Sequence, residues 1–262
     1  MDGQEAVMGV GPLAGRHAFV TGGGSGIGLA VAAALTMSGA SVSILGRREP
    51  RLREAVSAGH AAFAVPADVT DEDATAKAVA GAVEALGPVL LLINAAGAAE
   101  TAPFQKTGMA AFERMWRVNV AGAVVTTQAV LPGMIGAGFG RVVNIASTAS
   151  LKGYRYVSAY VTAKHGLLGL TRALAQEVAG TGVTVNAVCP GFTDTDLVAE
   201  SVARIMARTG RSADAALAEL TRANPLGRLV RPEEVAAGVV YLCLPDAASV
   251  NGQALAVDGG ET

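Results

Sequence analysis

The stretch Thr21-Gly-Gly-Gly-Ser-Gly-Ile-Gly28 decides the fold. It directly follows a short apolar run, His17–Thr21, and it opens a helical pattern over residues 26–38. Glycines let the backbone approach a pyrophosphate closely, and a helix N-terminus offers free N–H groups at the positive end of its dipole. A strand, a glycine-rich turn and a helix in this order predict a dinucleotide-binding turn.

Short apolar runs alternate with longer helical patterns along the rest of the chain, which is typical of βαβ units and a parallel sheet. The predicted strands are His17–Thr21, Ser41–Gly46, Ala62–Pro66, Val89–Asn94, Gly140–Ser147, Thr184–Val188 and Gln253–Val257. The predicted helices cover residues 26–38, 49–58, 71–86, 108–135, 157–180 and 232–244. The pattern therefore predicts an α/β fold with a single doubly wound, seven-stranded parallel sheet flanked by helices.

A chain of 262 residues suits one such domain. We expect residues 1–14 to form a flexible leader and residues 15–262 to form the domain. Residues 191–231 interrupt the alternation with two short helical patterns, around 198–208 and 213–222. Since ligands bind beyond the carboxyl ends of parallel strands, this insertion has the position of a substrate lid. The alternative is that these residues only pack against the rest of the domain.

Composition excludes several classes of protein. The formal net charge of -2 gives no reason to expect a nucleic-acid partner. Cys189 and Cys243 are far apart, and the histidines form no spaced set, so we expect no metal site and free thiols in the cytoplasm. The long uncharged run between Arg117 and Arg141 contains polar residues and a proline, and we expect a buried helix and a turn there rather than a membrane span.

Tyr160 and Lys164 stand four residues apart in a helical pattern, which places a phenol and an ammonium on one helix face. A neighbouring cation favours the phenolate and so eases the loss of a proton. Ser147 lies thirteen residues upstream, at the end of a predicted strand. Tyr-x-x-x-Lys alone is a weak motif, and an ordinary exposed pair is the alternative.

Together these motifs resemble the short-chain dehydrogenase/reductase family over nearly the whole chain. The glycine turn matches the family's Thr-Gly-x-x-x-Gly-Ile-Gly, and five further matches follow in family order: Asn94-Ala-Ala-Gly97, Asn119 in Arg117-Val-Asn-Val120, Ser147 in Asn144-Ile-Ala-Ser147, Cys189-Pro-Gly191 and Val257-Asp-Gly-Gly260. One departure is Ile93, which stands where the family has the first of two asparagines. The resemblance implies a Rossmann-type fold and hydride transfer between a nicotinamide and a carbonyl carbon.

The resemblance also implies a catalytic tetrad of Asn119, Ser147, Tyr160 and Lys164. Tyr160 would exchange a proton with the carbonyl oxygen, and Ser147 would hydrogen-bond the same oxygen. Lys164 would bind the nicotinamide ribose and lower the pKa of Tyr160, while Asn119 would hold a water that connects Lys164 to solvent. Each residue also has a purely structural alternative: a strand-end turn for Ser147, a helix-interior polar group for Asn119 and a surface cation for Lys164.

The expected cofactor contacts lie at the ends of the strands. The resemblance implies contacts from Gly22, Gly24, Ser25, Gly26, Ile27, Gly28, Asp68, Val69, Asn94, Gly97, Tyr160, Lys164, Pro190, Gly191 and Thr193. Asp68, which would face the adenine, could equally belong to a helix cap.

The choice of nicotinamide cofactor depends on charge at the end of the second strand. Gly46 stands where NAD-preferring relatives carry an acidic residue, and Arg47 and Arg48 follow it. Arginine forms charge-assisted bonds with phosphate, so the sequence predicts NADP(H), with NAD(H) as the alternative. The alternative for the arginines is solvent exposure or pairing with Glu49.

The resemblance is strongest to 3-oxoacyl thioester reductases and polyketide ketoreductases. No basic residue lies between Arg117 and Arg141, which weakens docking of a carrier protein and favours an acyl-CoA or a free ketone or alcohol. A non-catalytic NADP-binding regulator and a sugar-nucleotide epimerase are the competing classes. The resemblance also implies a homotetramer in which the helices over 108–135 and 157–180 pack between subunits.

Overall fold

The structure, a computed structural model, describes residues 11–262. Seven strands form one sheet in the order β3-β2-β1-β4-β5-β6-β7, and every neighbouring pair is parallel. The strands are β1 His17–Thr21, β2 Ser41–Gly46, β3 Phe63–Pro66, β4 Val89–Asn94, β5 Gly140–Ile145, β6 Val183–Pro190 and β7 Ala254–Val257. The predicted doubly wound sheet is confirmed.

Helices cover both faces of the sheet within the described part of the chain. They are α1 Gly26–Met37, α2 Glu49–Ser57, α3 Glu72–Leu86, α4 Met109–Trp116, α5 Gly122–Gly136, α6 Ser158–Glu177, α7 Asp196–Thr209, α8 Ala213–Thr221 and α9 Pro232–Cys243. One hydrophobic cluster joins β1, β2 and β5 to α1 and α9, and a second joins the sheet to α3 and α5. The central strands are apolar on both faces because both faces are covered.

The sheet order reverses between β1 and β4, and the loops after these two strands are held together. Thr21 Oγ1 accepts hydrogen bonds from the backbone N–H groups of Ala95 and Ala96, each at 3.1 Å. A crevice at such a reversal is the usual ligand site of open α/β sheets. The glycine turn therefore lies where a ligand would bind.

The predicted leader is too long at its C-terminal end. Leu13 is fully buried in the core, and its N–H donates to the carbonyl of Ser38 at 3.0 Å. Residues 11–14 therefore belong to the packed domain. Residues 1–10, the rest of the predicted leader, lie outside the described residues.

The helix predicted over residues 108–135 is interrupted. A π turn, Arg117–Ala121, separates α4 from α5. By length and mean hydropathy the whole stretch, Met109–Gly136, could cross a membrane. Its apolar residues have partners within the protein, since Val130 and Met134 are buried against the sheet and Val120 is buried against α6. Packing in the core therefore accounts for its composition.

Two helices occupy the insertion after β6, where two helical patterns were predicted. They are α7 and α8, and the first begins beside the glycine turn, because Thr195 Cγ2 lies 3.1 Å from the point where a side-chain carbon on Gly26 would stand. The backbone of Thr193 pairs with that of Val230, so the two ends of the insertion meet. This connection places the start of α7 next to the cleft described below.

Candidate active site

A cleft opens at the carboxyl ends of the strands, at the reversal between β1 and β4. Most of the predicted site residues border it: Gly22, Gly24, Ser25, Gly26, Ile27, Gly28, Arg47, Arg48, Asp68, Val69, Gly97, Asn119, Tyr160 and Lys164. Residues that lie far apart in the sequence thus share one concave surface. Its glycine end and its Tyr160 end differ in chemistry.

The glycine end fits a pyrophosphate. Gly22 and Gly26 have φ of 70° and 52°, a region that other residues rarely adopt. A side-chain carbon on Gly22 would stand 3.0 Å from the backbone of Ala96, so the turn has no room for one. Ser25, the N-cap of α1, makes no side-chain capping bond. The first amides of α1 are therefore left for an anionic ligand.

Arginines gather at the other side of the glycine turn. Arg47 lies 3.9 Å from the Asp68 carboxylate. Arg48 donates to Ser25 Oγ at 3.0 Å and lies 3.7 Å from Asp196. Arg51 also borders the cleft. Because these side chains are exposed and the ion pairs long, the pairing is weak and the guanidinium groups remain able to bind an incoming phosphate.

Tyr160 and Lys164 lie side by side on α6, as their spacing predicted. The Lys164 Nζ is 5.7 Å from the centre of the Tyr160 ring and donates to the carbonyl oxygen of Ile145, at the end of β5, at 2.8 Å. Lys164 is 4% exposed, so it is not a surface cation. The end of β5 thus fixes the ammonium beneath the phenol.

Burial moves both pKa values toward the neutral forms. Burial raises the pKa of the Tyr160 phenol, Cys189 adds to this shift, and hydrogen bonding by the Ser147 hydroxyl opposes it. Burial lowers the pKa of Lys164 to about 8, while Cys189 acts in the opposite direction. The lowering of the Tyr160 pKa by Lys164 stays a prediction, because burial of the phenol is the largest cause of the shift in this structure. Tyr160 is therefore protonated at neutral pH.

Asn119 lies in the π turn, and its amide is buried next to Lys164. Its Nδ2 donates to the carbonyl oxygens of Ala98 and Met115, each at 3.0 Å. Its Oδ1 accepts no hydrogen bond from any residue of the described chain. The point where a side-chain carbon on Gly97 would stand is 2.9 Å from Asn119 Oδ1 and 3.6 Å from Lys164 Nζ. An unused acceptor and an ammonium thus border the same small space.

Ser147 follows β5 and does not border the cleft itself. Its Oγ accepts the N–H of Ala149 at 3.1 Å and caps the short 3-10 turn Thr148–Ser150. The hydroxyl is near enough to Tyr160 to influence its pKa. The strand-end turn that was the alternative interpretation is therefore present, together with the predicted proximity to the phenol.

The predicted cofactor contact of Asn94 stays a prediction, because its side chain is bonded within the protein. Asn94 is 4% exposed and is not among the residues that border the cleft. Its Nδ2 donates to Asn144 Oδ1 at 2.9 Å, and its Oδ1 accepts the hydroxyl of Thr126 at 2.7 Å. Asn144 in turn donates to Thr171 Oγ1 at 2.8 Å. Asn94 thus belongs to a buried network that joins β4 to β5, α5 and α6.

Pro190, Gly191 and Thr193 do not border the cleft either. Thr193 is 4% exposed, and its hydroxyl donates to the carbonyl oxygen of Gly191 at 3.0 Å. The point where a side-chain carbon on Gly191 would stand is 3.3 Å from Glu261 Oε2. In this structure Thr193 stabilises the backbone after β6, and the absence of a side chain at Gly191 leaves space for Glu261.

Several residues of the cleft were not predicted as contacts. They are Leu45, Gly46, Arg51, Leu52, Ala67, Ala95, Ala96, Ala98, Val118, Ile145, Ala146, Thr195, Asp196 and Leu197. Gly46, Ala95 and Ala96 are neighbours of predicted contacts in the sequence. Their position at the ends of β2 and β4 was therefore a signal for them. Arg51 lies in the first turn of α2, shortly after Arg47 and Arg48, a signal that could have been used. Asp196 meets Arg48 only through the tertiary fold.

Comparison with known proteins agrees with this geometry. Residues 16–205 match the short chain dehydrogenase family. A putative ketoacyl reductase of Streptomyces coelicolor is 40% identical, over 93% of this chain and 95% of its own length. A cis-4-hydroxycyclohexanecarboxylate dehydrogenase of Sinomonas cyclohexanicum is also 40% identical, over 95% of this chain and 98% of its own length.

A solved structure shares the fold over almost its full length. It is a single-residue variant of actinorhodin polyketide ketoreductase, crystallised with NADPH. It is 38% identical to this chain and superposes with a TM-score of 0.89, covering 94% of this chain and 97% of that one. From the family match, the full-length relatives and the arrangement of Tyr160, Lys164 and the glycine turn, we conclude that the chain belongs to the short-chain dehydrogenase/reductase family.

Proposed function

We propose that the protein is an NADP(H)-dependent ketone reductase in which Tyr160 is the proton donor. The chain is an oxidoreductase of its family, acting on C=O and CH–OH groups. The observation that supports this proposal most directly is the pairing of Tyr160 with the buried Lys164 at one end of a cleft whose other end fits a pyrophosphate. Because burial raises the pKa of the Tyr160 phenol, Tyr160 holds the proton that reduction of a ketone requires.

Each member of the tetrad has a separate task. When bound, the nicotinamide supplies the hydride that the carbonyl carbon receives. Tyr160 donates its proton to the carbonyl oxygen as negative charge develops there, and Ser147 donates a hydrogen bond to the same oxygen. Lys164, held by Ile145, favours the phenolate that remains and can bind a ribose hydroxyl. Asn119 Oδ1 can accept from a water beside Lys164, which would return a proton from solvent.

The phosphorylated cofactor is supported by charge at the end of β2. Three arginines, Arg47, Arg48 and Arg51, border the cleft there, and Gly46 brings no carboxylate that would repel a 2′-phosphate. Asp68 and Asp196 are close, but each already faces one of the arginines. NAD(H) remains the alternative. NADPH in the related ketoreductase structure agrees with this assignment.

The substrate class is a ketone carried on a larger molecule or a free hydrophobic ketone. The name of one relative indicates a ketoacyl substrate. The lack of a basic residue between Arg117 and Arg141 favours an acyl-CoA here, with a carrier-protein thioester as the alternative. The name of the other indicates a ring alcohol with a carboxylate. We propose that α7 and α8 form the substrate lid, since Leu197, at the start of α7, borders the cleft. We also propose that the protein is a homotetramer in the cytoplasm, with no membrane or nucleic-acid partner.

The test is NADPH consumption with a panel of ketones, 3-oxoacyl-CoA esters and their alcohols, with NADH as the second cofactor. Tyr160→Phe should lower kcat by about 100-fold or more while NADPH still binds, because only the proton donor is lost. Tyr241→Phe, which removes an exposed phenol on α9, is the matched control and should leave kcat unchanged. Native rates in Tyr160→Phe would refute the proposed donor. Tight NADPH binding without turnover of any compound would instead indicate a regulator.

A further inference from the structure

The start of α7 lies against the part of the cleft that fits phosphates. Thr195 Cγ2 lies 3.1 Å from the point where a side-chain carbon on Gly26 would stand, and Asp196 and Leu197 border the cleft together with the glycine turn. Asp196 is the first residue of α7 and the acidic residue of its first turn. A carboxylate thus borders a cleft whose glycine end fits an anion.

Arg48 connects this carboxylate to the glycine turn. Its Nη2 donates to Ser25 Oγ at 3.0 Å and lies 3.7 Å from Asp196 Oδ2. That second distance is longer than a hydrogen bond, and both side chains of the ion pair are more than half exposed, so the pair is weak. The guanidinium therefore has N–H groups left for another acceptor, and the carboxylate lies close to whatever binds there.

Asp68, the other carboxylate of the cleft, is held differently. Its Oδ1 accepts the N–H and the hydroxyl of Thr70, at 2.9 and 2.8 Å, and its Oδ2 lies 3.9 Å from Arg47. Within residues 11–262, Arg48 is the only charged partner of Asp196. Neutralising Asp196 therefore changes the charge beside Arg48 and leaves the bonds of Asp68 intact.

Under the proposed function, the 2′-phosphate of NADPH binds at Arg47, Arg48 and Arg51. A phosphate bound to Arg48 shares one guanidinium with Asp196, so the two anions repel each other and compete for the same N–H groups. NADH carries a neutral hydroxyl at the same position and meets neither cost. The Asp196 carboxylate thus acts against only one of the two cofactors.

We propose that Asp196 determines cofactor specificity: it weakens the binding of NADPH selectively, and so keeps NADH usable by an enzyme whose arginines favour the phosphorylated cofactor. This inference rests on the proposed function and deepens its cofactor assignment. Hydride and proton transfer are unchanged, since only the affinity for the 2′-phosphate is set at this position.

The experiment measures dissociation constants by calorimetry for two pairs of ligands that differ in the 2′-phosphate, 2′,5′-ADP with 5′-AMP and NADPH with NADH. Asp196→Asn should lower the Kd for 2′,5′-ADP and for NADPH about fivefold at low salt, and leave the Kd for 5′-AMP and for NADH within twofold of wild type. The gain should shrink in about 0.5 M NaCl, because salt screens exposed charges. No ketone is needed, so the result does not depend on the substrate.

Two matched variants separate charge from structure. Asp196→Glu keeps the charge and should bind all four ligands within twofold of wild type. Asp194→Asn removes the same charge two residues earlier, where the side chain borders a different cavity beside α8, and should also match wild type. If Asp196→Asn folds poorly, Asp196→Ser neutralises the same position and should give the same gain.

Three results would overturn the inference. They are a gain for 2′,5′-ADP of less than twofold in the neutralised variants, an equal gain for 5′-AMP, and an equal gain in Asp196→Glu. Failure of the proposed cofactor site would look different. In that case neither the wild type nor Asp196→Asn would bind 2′,5′-ADP more tightly than 5′-AMP.

Discussion

Asn119 Oδ1 lies 2.9 Å from the point where a side-chain carbon on Gly97 would stand. That separation is too short for a carbon, and Asn119 cannot move away easily because its Nδ2 is bound to Ala98 and Met115. The absence of a side chain at Gly97 is thus a condition for the position of Asn119 beside Lys164.

Gly97→Ala should therefore impair catalysis more than folding. We expect kcat to fall by about tenfold or more, because a displacement of the groups beside Lys164 disturbs the proton-transfer geometry. Steady-state kinetics with NADPH and a ketone measure this. Gly169→Ala, on α6 and with open space around it, is the control and should raise the free energy of unfolding by up to ~1 kcal/mol. Equal kcat in the two variants would contradict the expectation.

The pH dependence of catalysis should reflect Lys164. Since its pKa is lowered to about 8, the ammonium loses its proton as pH rises through that value. We expect kcat/KM for NADPH to be highest below pH 8 and to decline above it. Lys164→Arg, which stays protonated, should retain some activity and lose this decline. A decline near pH 8 that persists in Lys164→Arg would assign it to another group.

Cofactor preference should follow the charge around Gly46. Arg47→Ala/Arg48→Ala should lower the NADPH-to-NADH ratio of kcat/KM by roughly 10- to 100-fold, since hydrogen bonds to a charged group contribute roughly 1.5–3 kcal/mol each. Gly46→Asp should shift the ratio in the same direction, and its new side chain meets only the movable end of Leu52, at 3.3 Å. Arg53→Ala, on the same helix outside the cleft, should not change the ratio. An unchanged ratio in the double variant would refute NADP(H).

Asn94 should prove structural. Asn94→Ala removes a donor to Asn144 and an acceptor for Thr126, which leaves buried polar groups unpaired and should lower the free energy of unfolding by about 2–4 kcal/mol. The dissociation constant for NADPH should change less than threefold. Thr184→Val, which removes a buried hydroxyl that has no partner among residues 11–262, should be nearly neutral in stability. Denaturant titration measures both. A large loss of NADPH affinity with little loss of stability would restore Asn94 as a cofactor contact.

Stability should depend on the buried His17 in mildly acidic solution. Its ring lies 2.7 Å from both the Gly87 carbonyl oxygen and Ser43 Oγ, and burial lowers its pKa below the ordinary value. Below about pH 6.5 the unfolded chain takes up a proton that the folded chain resists, so stability is lost as pH falls. The melting temperature should drop between pH 7 and pH 5, and less so in His17→Asn. His165→Asn, at an exposed position, should behave as wild type.

Local patterns predicted the sheet well because its strands are short apolar runs bounded by turn residues. β1, β2 and β4 begin and end where the sequence placed them. The sequence did not show the π turn at Arg117–Ala121, which depends on a shift of backbone hydrogen bonds and carries no glycine or proline signal. The burial of Leu13 was not predicted either, because one large apolar side chain gives no helical or strand periodicity.

The candidate site was predictable where residues act within one element. Tyr160 and Lys164 meet because of helical spacing, and the glycine turn follows its strand directly. The buried bonds of Asn94 could not be predicted, since nothing local distinguishes an amide directed toward a ligand from one directed toward Asn144. The contact of Arg48 with Asp196 joins the start of α2 to the start of α7, so it required the tertiary structure.

The π turn also sets the phase of the helix that follows it. Each α-helical residue advances by roughly 100° about the axis, so the loss or gain of one residue in Arg117–Ala121 would rotate all of α5 by that angle. Val130 and Met134, now buried against the sheet, would then turn toward solvent. Insertions and deletions at this point should be selected against by the hydrophobic core as well as by catalysis, which couples the evolution of the two.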